Sequence, residues 1–447
     1  MLSPMRRLPD DLVSRTPLLT EKGLQNLRRL QEHDDAPRWN HVAGDRLVRA
    51  DLKALDAFAA KLASRKPMAP PLKWAKSLRV PRYRAYDSVD WASIPTTSRE
   101  DIAVRPEQLV PDDADLSRMI VYRTAGTTGH ALLVPHDPRA TACYQPLVEF
   151  ALRRHGVKTK FGPTMTACFL VGAQARTVTY PTVLSAWDGA GFAKLNLNPA
   201  DWPRAESAQR YFDDLAPAIL TGDPISFAEM LRMGINHRPA AMVTTAVGMS
   251  GGLKRRLEKA YRCPVIDWYS LTETGPLGYA CPKGGGFHVL PHDVYVEALD
   301  EDGNVTSGRG EITVSGGRNP FIPLLRYRTG DWGRIESAPC SCGDKMARIV
   351  ELEGRAPVLY RAANGAVVNP VDISRALREF PLVQHEFVQR ADRSCELTVR
   401  ALDEVDGGAI VAALRTLLGA VRVDVRPDAR LGDRKVIPYR SELPLEE

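Results

Sequence analysis

The stretch Tyr122 to Pro135 reads YRTAGTTGHALLVP. At its centre lie Thr124, Gly126, Thr127, Thr128 and Gly129. Glycine admits positive φ and close approach, and small hydroxyl residues leave backbone N–H groups free, so this loop can cradle phosphate oxygens. It lacks the Gly-Lys-Ser/Thr ending of the P-loop triphosphatases, which argues against that class. Two further polar segments follow at long range: WYSLTETG from Trp268 to Gly275, and LLRYRTGDWGRI from Leu324 to Ile335. Each sets a carboxylate, Glu273 or Asp331, beside threonine and glycine. Taken singly, Glu273 reads as a surface acid and Asp331 as a turn former. A second chemistry is written in ACPKGGGFH and APCSCGDK, which carry Cys281, His288, Cys340 and Cys342. Three thiolates and an imidazole complete a tetrahedral shell around Zn²⁺, and a closed Cys₃His set keeps no position open for substrate, so the ion would be structural. His292 competes for the fourth place.

These residues need elements to hold them. Apolar positions at helical spacing run from Asp51 to Arg65, followed by the proline-bearing KPMAPPLKWAKSLRVP. Short apolar runs then alternate with helical patterns. The runs are Met119 to Tyr122, Thr164 to Val171, Ala218 to Leu220, Ala240 to Val247 and Val265 to Tyr269; helices are expected near Ala140 to Arg154 and Leu253 to Arg262. That rhythm predicts a parallel α/β sheet. Ligands gather at the carboxyl ends of such strands, where the loop after Tyr122 and the turn after Tyr269 are expected to lie. From Asp293 the texture becomes period-two, VYVEA and EITVSG around the Asp302-Gly303 turn, as in an antiparallel hairpin. After Glu353 a hairpin at Asn364-Gly365, helices near Val371 to Phe380 and Ile410 to Leu418, and strands near Val388, Leu397 and Val421 to Val425 suit a small domain. The expected fold is α/β: a large N-terminal domain over 1–353 with a parallel sheet plus a β-rich subdomain and a helical preface to about residue 90, then a small α+β C-terminal cap over 354–447.

Composition narrows the function. With 447 residues, 60 Lys plus Arg, 54 Asp plus Glu and 44% hydrophobic residues, the chain reads as globular, not disordered or fibrous. Basic residues alternate with acidic ones, which disfavours nucleic acid as a partner. No run of 18 apolar residues and no N-terminal apolar stretch free of charge occurs, so neither membrane insertion nor secretion is expected and the reading is cytoplasmic. Seven cysteines are too few for a disulfide framework. Cys143, Cys168, Cys263 and Cys395 fall within apolar patterns and read as core.

In this order the three polar segments resemble the adenylate-forming superfamily of acyl-CoA synthetases. The lead-in SIPTTSREDIAVRPEQLVP from Ser93 to Pro111 resembles the segment before the phosphate loop in phenylacetate-CoA ligases, and the likeness spans Ser93 to Pro370. It implies ATP-dependent conversion of a carboxylic acid to an acyl-adenylate, with pyrophosphate released, then transfer to coenzyme A. By the same resemblance Glu273 holds Mg²⁺, Thr272 lies beside the α-phosphate, Asp331 takes both ribose hydroxyls, Tyr269 lies near adenine and Arg355, just ahead of the second domain's hinge, is a cofactor-binding residue. Some members of that branch carry Cys and His at places corresponding to the Cys281, His288, Cys340 and Cys342 set, and dimers are common among relatives.

The pattern breaks in three places. His130 stands where the family's loop carries lysine. Pro357 and Val358 occupy the neighbourhood of the family's hinge acid, and proline stiffens the backbone there. The family's C-terminal lysine has no exact match: Lys435 in RLGDRKVIPYR is displaced, and Arg434 is the alternative. Such changes leave room for an acceptor other than coenzyme A (an amine, a carrier thiol or an inorganic nitrogen donor in a biosynthetic pathway) or for a degenerate nucleotide-binding protein. The acyl pocket implied by the resemblance lies after Val171, around Thr221 to Phe227 and around Gly248 to Gly252. Its residues suit an aryl or a short polar acid, the resemblance favours an aromatic one, and Arg176 is a candidate partner for a substrate anion.

Overall fold

A computed structural model describes residues 10–64, 69–71, 73, 78–86, 90–123, 132–174, 177–246, 248–291, 293–316, 318–354, 360–368, 370–431 and 439–443. Strands β1 (Ile120–Arg123) and β2 (Leu133–His136) pair antiparallel as a separate two-stranded ribbon. The Met119 to Tyr122 run is therefore not a strand of the parallel sheet, and the phosphate loop spans a hairpin instead of following a central strand. The physical reason is exposure on both faces: Val121 is 49% and Tyr122 37% exposed, whereas a central parallel strand must be apolar throughout.

The main sheet has twelve strands. Strands β3 (Thr166–Gly172), β5 (Ala190–Asn196), β6 (Ile219–Gly222), β7 (Ala241–Thr244) and β8 (Val265–Leu271) are parallel in the order 5-3-6-7-8, and β4 (Tyr180–Leu184) closes one edge antiparallel to β5. Beyond β8 the same sheet turns antiparallel. It continues through β9 (Gly275–Ala280), β10 (Phe287–Val289), β14 (Arg348–Gly354), β13 (Leu324–Glu336), β12 (Gly310–Gly316) and β11 (Val294–Leu299). The expected β-rich region is thus hydrogen-bonded to the parallel sheet across β8 and β9.

Both faces of the parallel half are covered. Phe169, Ala193, Leu220 and Met242 pack with Tyr211, Phe212, Phe227 and Leu257 from the helices Ser207–Leu215, Pro224–Arg232 and Gly251–Tyr261. On the other face Cys168, Ile219, Ala241 and Ile266 meet Leu55, Phe58 and Leu62 of helix Arg49–Ala63 and Leu147 and Phe150 of helix Tyr144–Arg154. The helix expected from Ala140 is in fact two, Pro138–Ala142 and Tyr144–Arg154, meeting at Cys143. Cys143, Cys168, Cys263 and Cys395 are all buried.

The small C-terminal domain has its own core, including Tyr360, Phe387, Leu397, Leu414 and Leu418. Its four-stranded sheet combines Leu382–Gln389, Cys395–Ala401, Val423–Pro427 and Tyr439–Ser441, backed by helices Pro370–Leu377 and Gly407–Leu418. It touches the large domain where Ser250 Oγ donates to Leu382 O at 2.8 Å and Gly252 N donates to Arg378 O at 2.9 Å. A side chain at Gly252 would meet Phe380 O at 2.4 Å, so only glycine permits this approach.

Candidate active site and metal centre

Asp331 is displayed by an irregularity in a strand. Between β12 and β13 the register jumps: Thr313 faces Arg328, while Glu311 faces Trp332. Residues 329–331 thus bulge from the ladder, which re-aims a side chain that regular pairing would hold at the sheet surface. Gly330 at φ +76° permits the turn, and its N–H donates to Glu311 Oε1 at 3.0 Å. Thr329 Oγ1 donates to Ile312 O at 2.7 Å and accepts Asp331 N at 3.1 Å. Tyr269 of β8 reaches across and donates its hydroxyl to Asp331 Oδ2 at 2.8 Å. The ring of Tyr269 is only 8% exposed and packs among Leu277, Val289 and Ile349. Burial, and then the Asp331 carboxylate, push that phenol well above its usual range, so it stays a donor.

Glu273 follows β8 and is 4% exposed. Arg99 Nη1 lies 2.7 Å from its Oε1, and Tyr327 Oη donates to the same oxygen at 3.2 Å. Arg99 opens the helix Arg99–Val104, whose start is fixed by a capping box between Ser98 and Asp101. The segment ahead of it is tied to β13 by Thr97 N to Arg326 O at 3.1 Å and Arg328 N to Thr97 O at 2.8 Å. A buried ion pair, Arg326 with Glu297 at 2.9 Å, anchors that corner. Arg99 lies within the SIPTTSREDIAVRPEQLVP segment, where no local pattern singles it out. The capping box was a visible signal for where the helix starts, but not for where Arg99 points.

Thr272 offers its carbonyl to His136 of β2, with Nε2 at 2.9 Å. The neutral ring with its hydrogen on Nε2 is the one that donates there. Burial pulls His136 down to about 4, so it is uncharged near neutrality. The same ribbon is held by Asn319, whose Nδ2 donates to Pro135 O at 2.8 Å. The β1–β2 ribbon, which flanks the segment expected to hold phosphate, is thereby tied to the Thr272–Glu273 turn, and Tyr269 of the same strand reaches Asp331. Thr124, Gly126, Thr127, Thr128, Gly129, His130, Arg176, Arg355, Pro357, Val358, Arg434, Lys435 and His292 lie outside the described residues.

The Cys₃His set does assemble. Ligand atoms of Cys281, His288, Cys340 and Cys342 all lie within 4.8 Å of one another. Cys281 and Cys340 sulfurs are 3.5 Å apart, and His288 Nε2 is 3.2 Å from Cys342 Sγ. Those separations are what four ligands around one tetrahedral ion require, given Zn–S of about 2.3 Å and Zn–N of about 2.0 Å. His288 Nδ1 faces Met346 O at 3.4 Å, which leaves Nε2 for a metal. Tyr279 stacks on His288 at 5.5 Å and donates to Asp344 at 2.8 Å, and Asp344 pairs with Arg154 at 3.1 Å. Gly286, at φ +105°, passes so close to Ile349 O that a Cβ would lie at 2.4 Å; the glycines of ACPKGGGFH let this loop fold under β14.

No protein-family model matches the chain. Over 158 residues it is 27% identical to protein CapK of Staphylococcus aureus, a match that covers 35% of this chain and 34% of that protein. Among solved structures it is similar to 2-hydroxyisobutyryl-CoA ligase in the postadenylation state with R3-HIB-AMP, at a TM-score of 0.57 and 17% identity over 88% of this chain and 89% of that one. It is also similar to the anthranilate CoA ligase AuaEII in complex with anthranoyl-AMP, at a TM-score of 0.51 and 13% identity over 72% of this chain and 66% of that one. The chain has the fold of the adenylate-forming CoA ligases.

Proposed function

We propose that this chain is an adenylating ligase of the phenylacetate-CoA ligase type, activating a carboxylic acid, of which an aromatic one is favoured, with ATP. The observation that carries this reading is the linkage of Thr272, Glu273, Tyr269 and Asp331 within one hydrogen-bonded corner at the end of β8. Relatives of the same fold have been captured with acyl-adenylates.

In this reading Asp331 accepts both ribose hydroxyls, and Tyr269 holds that carboxylate in place. Thr124, Gly126, Thr127, Thr128 and Gly129 surround the outer phosphates, and Thr272 stands at the α-phosphate. Arg99 and Tyr327 both reach Glu273 through Oε1, and its second oxygen would hold Mg²⁺. When bound, that ion neutralises charge on the phosphates, a task for which Mg²⁺ uses one or two carboxylates and several waters. The acid's oxygen attacks the α-phosphorus, the bond to the bridging oxygen breaks, and pyrophosphate leaves. Arg99 steadies Glu273; Arg355, just ahead of the hinge, and Lys435 serve the small domain's side of the site. The acyl group then passes to coenzyme A with release of AMP. Cys281, His288, Cys340 and Cys342 would hold a structural Zn²⁺ at the junction of β9, β10 and β14. The domain boundary near 353, the cytoplasmic compartment and a homodimer belong to the same proposal.

Carboxylate-dependent exchange of labelled pyrophosphate into ATP, across a panel of acids with and without coenzyme A, tests this. Exchange with thioester formation is expected. Exchange without thioester assigns another acceptor, and no exchange with any acid despite ATP binding refutes adenylation.

A further inference from the structure

Cross-strand register places five residues side by side on the main sheet: Tyr180 on β4, Lys194 on β5, Leu170 on β3, Thr221 on β6 and Val243 on β7. Neighbours in register point to the same face. The adjacent row, Ala193, Phe169, Leu220 and Met242, points the other way and is fully buried. Lys194, Leu170 and Thr221 are only half-buried, although β5, β3 and β6 are interior strands, and Tyr180 beside them on the edge strand β4 is half-buried too. A half-open row near the carboxyl ends of parallel strands marks a crevice, the usual ligand position in such sheets.

The crevice leads back to the nucleotide corner. Thr245, just beyond β7, lies with its Oγ1 3.1 Å from Ser270 Oγ, two residues before Thr272. Tyr144 is half-buried; burial first, then the neighbouring Tyr122 and Glu273, push its phenol up, and burial with Tyr122 does the same to Tyr180. Tyr180 stacks over Phe192 at 6.2 Å, giving this end aromatic walls.

Lys194 does not fit such walls unless something meets it. Burial alone pulls its ammonium below the usual lysine range, with no carboxylate opposing the shift. Among the described residues its ammonium has no hydrogen bond and no ion pair. A desolvated, unpaired ammonium is costly, and a carboxylate brought in by a ligand removes that cost. We infer that Lys194 reads a second carboxylate on the substrate, so that this chain activates a dicarboxylic acid, one end at the α-phosphate and the other on Lys194. This rests on the adenylation reading for the reactive end. One ammonium balances one carboxylate; a phosphate dianion would carry surplus charge into the crevice.

The test compares matched acids, terephthalate with p-toluate and adipate with hexanoate, in pyrophosphate exchange by the full chain, its Lys194→Met variant and its Lys194→Arg variant. Calorimetry of diacid binding runs alongside. The expected result is at least a tenfold preference for the diacid in one pair. Lys194→Met should cut that preference at least tenfold, and Lys194→Arg should restore part of it. No diacid preference in the parent chain, or a preference that survives Lys194→Met, overturns the assignment. If no acid exchanges but a diacid binds and Lys194→Met abolishes the binding, the lysine's role stands and adenylation falls. If neither exchange nor diacid binding occurs, the lysine's role falls as well.

Discussion

Tyr269 donates its hydroxyl to Asp331 Oδ2 at 2.8 Å, joining two strands whose partners lie 62 residues apart in sequence. A carboxylate held by a buried phenol cannot rotate freely, so in the proposed reading its two oxygens would meet the ribose's vicinal hydroxyls already oriented. Tyr269→Phe removes a hydrogen bond to a charged group, worth about 1.5–3 kcal/mol. The KM for ATP should rise at least about tenfold and the melting temperature should fall by a few degrees, and Asp331→Ala should raise the KM further. Steady-state kinetics at varied ATP decide this, and an unchanged KM in both variants would remove the pair from the ribose site.

Arg99 and Glu273 form a pair with unequal exposure: the arginine side chain is 39% exposed and the glutamate side chain 4%. Arg99→Met leaves a buried carboxylate with Tyr327 alone, a loss of about 2 kcal/mol. Glu273→Gln should slow exchange by roughly a hundredfold, as loss of a charge-stabilising group does. In the double variant no buried charge is left behind, so most of the stability lost by Arg99→Met should return. Denaturant unfolding of the four proteins measures this. Strictly additive losses would mean that the two side chains do not interact.

His136 couples stability to pH. Its folded value is pulled down to about 4 from an unfolded value of about 6.5. The unfolded chain therefore binds the proton first as pH falls, and the folded state loses stability through that window. The contribution is complete above about 6.5 and gone below about 4, at most about 3 kcal/mol across it. His136→Asn, which still offers a donor to Thr272, should flatten the slope of unfolding free energy between pH 4.5 and 6.5. His385 is pulled down to about 4 by burial as well, so part of the slope should remain. An identical slope in the parent and the variant would contradict this reading.

The Cys₃His cluster should hold one zinc per chain. Elemental analysis of protein purified without chelator reads the stoichiometry, and Cys340→Ser or Cys342→Ser should abolish it and lower the melting temperature by several degrees. Metal below a tenth of an equivalent, or full metal in both variants, would reject the site.

Chemistry confined to a short stretch was legible in the sequence, and chemistry built across the sheet was not. Cys281, His288, Cys340 and Cys342 announce themselves because sulfur and imidazole are scarce and their loops are rich in glycine. The carboxylates of Glu273 and Asp331 were visible by motif. Arg99 lies 174 residues from Glu273 and is brought there by Thr97 pairing with β13, which no local pattern encodes. Lys194 sits in a strand whose neighbours are apolar, and only the register of β4, β5 and β3 shows its face to be open. The β1 run was placed in the parallel sheet because four apolar or aromatic residues read alike in a ribbon and a buried strand; the exposure of Val121 and Tyr122 separates the two. The split at Cys143 was hidden because both helical pieces share one apolar face, which a periodic pattern reads as continuous.

A crystal of the full chain grown with AMP tests the nucleotide site most directly. The ribose hydroxyls should lie within hydrogen-bond distance of both Asp331 oxygens, with the phosphate beside Thr272 and the loop between β1 and β2. Nucleotide bound elsewhere, with Asp331 still engaged by Tyr269 and the Thr329 turn, would contradict the account.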